Sequence, residues 1–236
     1  MSVKEISRDQ GEGTVLMSIE QIETALVKAR MGLSLLMRFP YLFQRMPDSD
    51  LLQIGCGTNL LPGWINTDFV PRKGVIHLDV GRRLPFRSGR LRYVFSEHLI
   101  EHIPFASGTN LLREIHRVLA PGGKVRIATP DFAFLVRLYQ DPDMEYVAWA
   151  AEWSSVPPTP LHTINNFVRN WGHQFIWDFP TLKTALESVG FVDVIRCRVG
   201  ESTDPVLQGI ERHGRVIGDK WNELETCVVE ARKPAS

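Results

Sequence analysis

The 236-residue chain has few cysteines, no excess of charge and no leader-like start. Its three cysteines, Cys56, Cys197 and Cys227, are scattered, which argues against a disulfide framework and indicates buried thiols in a reducing compartment. Lysine plus arginine equals aspartate plus glutamate at 27 each, so no overall field attracts nucleic acid or acidic lipid. The N-terminus lacks the basic and apolar layout of a signal peptide, and the cytoplasm is therefore the expected location.

No apolar run is long enough to span a membrane. Residues 31–43 form an apolar stretch, but it is short and is interrupted by Arg38 and Pro40. Together with residues 19–29 it predicts an amphipathic helix inside an N-terminal helical segment, residues 1–48. Packing on the main domain or in a homodimer contact is favoured for this helix. A lid over the ligand site and a helix lying at a membrane surface are the alternatives.

Internal repeats and low-complexity tracts are also missing, and 44% hydrophobic residues suit one ordinary core in residues 49–236. From residue 51 onward, short β-rich runs alternate with helix-like stretches. This alternation predicts an α/β fold, a seven-stranded sheet with helices on both faces. The predicted strands are 51–54, 64–69, 75–78, 91–95, 124–129, 192–199 and 226–231, and the predicted helices are 107–119 and 181–189. A turn at Ala120-Pro121-Gly122-Gly123 should end the first helix.

A long insertion at about residues 131–178 follows the fifth predicted strand. Ligands of open α/β sheets bind outside the carboxyl ends of the strands, so the insertion is interpreted as a cap on the substrate side. Its tryptophans either line a pocket or form a small core of the cap, and the core is favoured. They are Trp149, Trp153, Trp171 and Trp177. Asp131 lies at an edge where an acceptor could contact it, and Asp178 should cap the next helix.

The strongest local pattern is the run Leu51-Leu52-Gln53-Ile54-Gly55-Cys56-Gly57, followed by Asp68 at the end of a second apolar run. Glycines let a backbone approach a ligand closely, and a carboxylate can bind a ribose diol. The dinucleotide fingerprint needs a third glycine or alanine where this chain has Leu60. It also places its acid about twenty residues downstream, whereas Asp68 follows much sooner. The pattern therefore favours a nucleoside ligand without a pyrophosphate.

These residues resemble the class I S-adenosylmethionine-dependent methyltransferases, and more closely the type 11-like subgroup that often accompanies glycan biosynthesis. The resemblance covers about residues 50–232. The segments that carry it are LLQIGCGTN, GWINTDF, IHLDVGRRLPF, YVFSEHLIEHI, LLREIHRVLAPGGKVRIATPD, WGHQFIWD and VVEARKP. It implies a Rossmann-like methyltransferase sheet, mostly parallel with an antiparallel last strand, and S-adenosyl-L-methionine as the cofactor.

The resemblance also implies roles for individual residues. The glycine turn should admit the amino acid end of the cofactor. Asp68 should bind the ribose hydroxyls, and Asp79 together with the Val80 backbone should bind the adenine. Leu84 and Phe86 should pack near adenine. Ser96 and Glu97 should hold the methionyl ammonium. The full predicted cofactor set is Gly55, Cys56, Gly57, Asn59, Asp68, Phe69, Asp79, Val80, Ser96 and Glu97.

The segment His98-Leu99-Ile100-Glu101-His102 has two interpretations. It matches the inverted zinc-protease motif, in which two histidines one helical turn apart share a metal. The preceding strand and glycine turn do not suit a protease, so no metal is expected. Methyl transfer to a hydroxyl would instead benefit from a base that removes the proton. His98, His102 and His173 are the candidate catalytic residues, and Glu101 is expected to orient a histidine or cap a helix.

The sequence thus predicts a methyltransferase acting on oxygen in a sugar, a glycan intermediate or another small molecule. The glycan suggestion comes from the resemblance alone. A cofactor-binding partner or regulatory subunit without catalysis is the alternative. A nicotinamide-dependent oxidoreductase is disfavoured by Leu60 and the short loop. Residues 200–215 resemble a polar excursion of the subgroup and have no predicted chemical role.

Overall fold

The computed structural model describes residues 45–155 and 157–235, and the predicted N-terminal helix lies outside them. Elements are numbered over the described residues. The strands are β1 Leu51–Ile54, β2 Ile65–Asp68, β3 Ile76–His77, β4 Leu91–Glu97, β5 Leu119–Pro130, β6 Val192–Cys197 and β7 Thr226–Arg232. The α-helices are α1 Phe105–Val118, α2 Phe132–Gln140, α3 Met144–Ser154, α4 Pro160–Arg169, α5 Phe179–Ser188, α6 Gly214–Ile217 and α7 Asp219–Glu225. A single 3-10 turn, Ile100–His102, follows β4.

The seven strands form one sheet in the order β3-β2-β1-β4-β5-β7-β6. Strands β1 to β5 pair in parallel, whereas β7 is antiparallel to both of its neighbours. This confirms the predicted fold class, and each of the seven predicted runs contains a strand. The chain crosses from one side of β1 to the other between β3 and β4. A ligand crevice is therefore expected at the carboxyl ends of β1 and β4.

Alternation along β4 divides the core between the two faces of the sheet. Neighbouring strand residues point to opposite faces, so the fully buried Val94 and Phe95 belong to different clusters. Val94 joins the main cluster, to which α1 and α5 contribute Leu112 and Leu182, and Trp177 joins it from just before α5. Burying each such leucine contributes roughly 2 kcal/mol.

The opposite face carries a smaller cluster that a loop covers. Its buried members are Leu61, Trp64, Phe95, Leu207 and Ile210. The loop that supplies the last two follows β6 and is held down by Asp204. This carboxylate accepts hydrogen bonds from the Tyr93 hydroxyl at 2.9 Å and from Lys124 Nζ at 2.8 Å. In the described residues, therefore, this part of the sheet is covered by irregular chain.

The predicted turn at residues 120–123 ends α1 but does not interrupt β5. Leu119 pairs with Leu91 and Lys124 pairs with Tyr93, so five residues of β5 span two steps of β4. Gly122, at φ +77°, lets the extra residues bulge out of the ladder. The Pro-Gly-Gly signal was correct for the end of the helix, but the segment is a bulge inside an extended strand.

The insertion forms three helices, each with a side-chain cap at its first turn. Asp131, Asp143 and Thr159 accept backbone N–H groups of α2, α3 and α4. Asp131 is also fully buried and pairs with Arg196 at 2.6 Å, so it is committed to structure rather than open to an acceptor. Asp178 caps α5 as predicted. Within the described ranges, no helix combines the length and apolarity needed to cross a membrane.

Candidate active site

The glycine turn after β1 has the backbone that its sequence predicts. Gly55 and Gly57 lie at φ +70° and +51°, in the left-handed region that favours glycine. A Cβ on Gly55 would fall 2.3 Å from Leu99 Cδ1, whereas a Cβ on Gly57 would meet open space. Gly55 is thus required by packing, and Gly57 is the point where a ligand can approach the backbone. Between them, the thiol of Cys56 is buried, and burial raises its pKa to about 12.

Asp68 lies directly beside this turn. Its Oδ2 accepts the Gly57 N–H at 2.8 Å, and its Oδ1 accepts the Val70 N–H at 2.9 Å. Each carboxylate oxygen can accept more than one hydrogen bond, so the pair retains capacity for the two hydroxyls of a ribose. The loop after the turn is held by Gln53 Nε2, which donates to the carbonyl of Asn59 at 3.0 Å.

The predicted adenine side is more closed than expected. Asp79 Oδ1 accepts the Gly81 N–H at 2.9 Å, and its Oδ2 pairs with Arg82 Nε at 3.0 Å. Leu84 and Phe86 are buried in the main cluster, and Val80 packs partly against it. The buried side chains of Leu84 and Phe86 therefore support the loop around Asp79 from the side of the core. A nearby aromatic, Phe69, is exposed and contacts His77 edge to face at 5.6 Å.

Ser96 and Glu97 complete the same sheet edge. Ser96 pairs with Ile54 in the sheet, which places it next to the glycine turn. Its hydroxyl is buried and has no hydrogen-bond partner among the described residues, so a donor or acceptor of a ligand could satisfy it. Open space at Gly57, the free lone pairs of Asp68 and this orphaned hydroxyl together fit the predicted cofactor.

Glu97 has a different set of contacts. Its carboxylate accepts the backbone N–H of Arg212 at 2.9 and 3.0 Å and that of His213 at 2.9 Å. Burial raises the pKa of Glu97, against the effect of these N–H bonds. Glu97 therefore anchors the segment that had no predicted role, and that segment brings His213 into the site.

The three predicted catalytic histidines come together around Glu101. The side chain of this glutamate is fully buried, with its Oε1 3.2 Å from His98 Nδ1 and 3.9 Å from His102 Nε2. The rings of His102 and His173 lie 4.9 Å apart. Burial lowers the pKa of His98, but the neighbouring carboxylate of Glu101 outweighs burial and raises it. Burial acts to raise the pKa of Glu101, but His98 outweighs burial and lowers that pKa. Glu101 thus makes His98 a stronger base, which supports the predicted orienting role of Glu101.

The helical form of the zinc motif is wrong for this segment. His98 has a left-handed backbone at φ +47°, and the segment Ile100–His102 forms a short 3-10 turn rather than an α-helix. His98 and His102 are therefore not one turn apart on an α-helix. The ring of His98 instead stacks on that of His213, with centroids 3.8 Å apart. Burial, together with the His98 charge, lowers the pKa of His213 to about 3.

A cavity of about 250 Å³ opens between these histidines and the insertion. We call it the aromatic cavity, because rings make up much of its wall. The wall residues are Tyr146, Trp149, Trp153, Phe167 and Trp171. Four histidines and one glutamate also line it, namely His98, His102, His173, His213 and Glu225. Trp177 is buried in the main core of the domain instead, which neither predicted role covers, whereas Trp149 also packs against the small cluster of the insertion.

Sequence patterns missed three members of this site: Tyr146, His213 and Glu225. The Tyr146 hydroxyl donates a hydrogen bond to Glu225, and burial raises the pKa of Glu225. None of the three lies in a motif, and each reaches the cavity through tertiary packing. The nearest available signal was the Trp- and Tyr-rich composition of the insertion.

Comparison with known proteins gives one family match. Residues 65–127 match the family model of a methyltransferase domain. No curated protein is significantly similar to the chain.

Three solved structures show the range of structural similarity. One is an S-adenosylmethionine-dependent methyltransferase from Archaeoglobus fulgidus, at 20% identity and TM-score 0.47, covering 89% of this chain and 94% of that one. Another, from Mesorhizobium loti, has 13% identity, TM-score 0.45 and coverages of 78% and 90%. The third is Haemonchus contortus phosphoethanolamine N-methyltransferase 2 with S-adenosyl-L-methionine, at 13% identity, TM-score 0.44, and coverages of 84% and 52%. The chain thus spans about half of that last protein. With TM-scores below 0.5, these similarities identify no acceptor.

Proposed function

We propose that this chain, whose residues 65–127 match the family model of a methyltransferase domain, is an S-adenosylmethionine-dependent methyltransferase that methylates a hydroxyl oxygen. The acceptor would be a sugar, a glycan intermediate or another small ring-bearing molecule. The observation that carries this proposal is the aromatic cavity, which opens onto His98 directly after β4. That is the sheet edge on which the glycine turn and Asp68 also lie.

We assign the donor site to the crevice at β1, β2 and β4. Asp68 would bind the ribose hydroxyls by charge-assisted hydrogen bonds. The Gly57 turn and the unpartnered Ser96 hydroxyl would contact the amino acid end. Asp79 and Val80 would lie on the adenine side. Glu97, already bound to the 212–213 backbone, would act on the cofactor mainly through its charge.

The proposed chemistry needs alignment, exclusion of water and removal of one proton. Bound S-adenosylmethionine supplies an electrophilic methyl group. The aromatic wall would hold the acceptor ring and keep water away, which makes the transfer effectively intramolecular. His98 Nδ1 faces Glu101, while its Nε2 has no partner among the described residues. Nε2 is therefore the atom that would take the hydroxyl proton as the oxygen gains the methyl carbon.

The three cysteines are all free thiols, which agrees with the proposed location in the cytoplasm. The balanced charge gives no support to a nucleic-acid acceptor. A non-catalytic cofactor-binding partner remains the second candidate function. It predicts donor binding with no acceptor that is ever methylated.

The test is acceptor-dependent formation of S-adenosylhomocysteine with sugars, nucleotide sugars and phenols. Asp68→Asn should weaken donor binding about 10- to 100-fold, since a hydrogen bond to a charged group contributes about 1.5–3 kcal/mol. Trp153→Ala, whose ring is half exposed at the cavity wall, should leave donor binding intact and raise the acceptor KM.

Asp48→Asn is the matched control, because this carboxylate lies at the surface beside Arg90, away from the predicted site. Failure to bind S-adenosylmethionine would refute the donor site. Donor binding without turnover on any hydroxyl acceptor would favour the non-catalytic partner, and turnover on amines alone would refute O-methylation.

A further inference from the structure

Glu101, His102 and His173 form a group whose ligand atoms all lie within 4.8 Å of one another. Two of the side chains come from the turn after β4 and the third from the insertion. Both histidines also line the aromatic cavity. We propose that these three residues bind a divalent transition-metal ion, with Zn²⁺ as the representative case, and present it to the acceptor. The set differs from the helical His98–His102 pair that the sequence motif suggested.

His173 is already in the tautomer that a metal ligand requires. Its Nδ1 lies 2.6 Å from the carbonyl oxygen of Phe167. A carbonyl oxygen only accepts hydrogen bonds, so Nδ1 must carry the proton and Nε2 must carry the free lone pair. Metal-bound histidines usually hold their second nitrogen in this way, because it fixes both the tautomer and the ring orientation.

Glu101 supplies an unsatisfied buried oxygen. Its Oε2 accepts the Thr129 hydroxyl at 3.0 Å, which fixes the carboxylate. Its Oε1 is fully buried and has no aligned hydrogen bond in the described part of the chain, although His98 and His102 are near it. Leaving a buried carboxylate oxygen unsatisfied is costly. A cation bound between Oε1 and the two histidines would satisfy it.

The backbone holds the two halves of the group together. The Glu101 carbonyl accepts the N–H of Gln174 at 2.7 Å and that of Phe175 at 3.2 Å. Gln174 Nε2 donates to the His102 carbonyl at 2.8 Å. Just before His173, Trp171 and Gly172 both have left-handed φ, +56° and +83°. Such a conformation is unfavourable for tryptophan and is held by its surroundings, which turn His173 toward Glu101.

The donor set suits zinc and related metals. Two imidazoles and one carboxylate bind Zn²⁺ in catalytic sites, with the remaining position left to water or substrate. Metal–ligand bonds of about 2.1 Å place tetrahedral ligands about 3.4 Å apart, so the side chains would close by about 1 Å on binding. A metal facing the cavity would act as a Lewis acid on the acceptor hydroxyl. That role rests on the proposed function, whereas metal binding itself does not.

The experiment is titration of chelator-treated, untagged protein with ZnCl₂ by calorimetry, and with CoCl₂ by visible absorption. We expect one site per chain and cobalt d–d bands of a low-coordinate site. His173→Asn and Glu101→Gln should each weaken Zn²⁺ binding by about 100-fold or more, since ligand loss should exceed the 10- to 100-fold effect of second-shell changes. His162→Asn is the matched control, because His162 lies exposed in the same insertion and contacts Thr159.

Thermal melting and S-adenosylmethionine binding distinguish loss of the site from loss of the fold. His102→Gln provides a third ligand variant, next to Glu101 in the turn after β4. No stoichiometric Zn²⁺ or Co²⁺ binding, or equal binding by the three ligand variants and the wild type, would overturn the inference. If metal binds but no hydroxyl acceptor is ever methylated, the metal site stands and the proposed O-methylation fails.

Discussion

Arg126 is the residue whose replacement should destabilise this protein most clearly. Its side chain is fully buried in β5 and pairs with two buried carboxylates, Glu211 and Glu230. The guanidinium also donates to the carbonyls of Glu201 at 3.0 Å and Arg198 at 3.2 Å. Through these contacts it ties the loop after β6 to the centre of the sheet.

Arg126→Met keeps much of the volume but leaves two buried carboxylates without a counter-charge. Removing one partner from a buried ion pair is destabilising by about 3–5 kcal/mol. For a chain of this length, each kcal/mol lowers the melting temperature by about 2–4 °C. The melting temperature of Arg126→Met should therefore fall by about 6–20 °C.

The assay is thermal and urea unfolding followed by circular dichroism. Arg92→Met is the matched control, because Arg92 pairs with Asp50 at the surface, where solvent screening leaves an ion pair little effect on stability. The triple variant Arg126→Met, Glu211→Gln, Glu230→Gln should recover much of the lost stability, since it removes the unpaired charges. A decrease below about 2 °C for the single variant, or a triple variant as unstable as the single one, would refute this account.

Two further predictions concern the glycine turn and Glu225. Gly55→Ala should abolish donor binding or unfold the turn, because its Cβ would fall 2.3 Å from Leu99 Cδ1 in a backbone with φ +70°. Calorimetry with S-adenosylmethionine checks this, and normal affinity in a variant of unchanged melting temperature would contradict it. Burial raises the pKa of Glu225, so its protonated form stabilises the fold at acid pH, and this stability is lost as the pH rises through the raised pKa. Glu225→Gln, which stays neutral beside Tyr146, should therefore gain stability relative to the wild type as the pH rises above 4.5, the ordinary pKa of a glutamate; a melting-temperature difference that is independent of pH would oppose this.

The sheet could be predicted from the sequence because its signals are local. Each strand is a short apolar run, and the turn at Gly55 and Gly57 needs residues that tolerate positive φ. The position of Asp68 beside Gly57 followed from the parallel arrangement of β1 and β2. Local patterns of this kind survive packing, since the neighbouring elements only reinforce them.

The remainder depended on contacts between distant parts of the chain. The H-x-x-E-H segment has helical spacing, yet His98 adopts a left-handed backbone and stacks on His213, more than a hundred residues away. His213 is placed by Glu97 and by the neighbouring Arg126–Glu211 pair, which no periodicity reveals. Polar groups that bind irregular loops leave no repeating signal in a sequence, so the site's polar residues were only partly predicted.

The loop that covers the second face of the sheet also has a consequence for the order of folding. Phe95 lies in β4, but Leu207 and Ile210, which cover it, follow more than a hundred residues later. A nascent chain that already holds β1 to β5 must therefore keep an apolar surface exposed until that later loop has been synthesised. Contacts of such sequence separation slow folding and expose intermediates to aggregation. The period of greatest risk for this protein thus lies between the synthesis of β5 and that of the loop, and chaperone binding should be concentrated there.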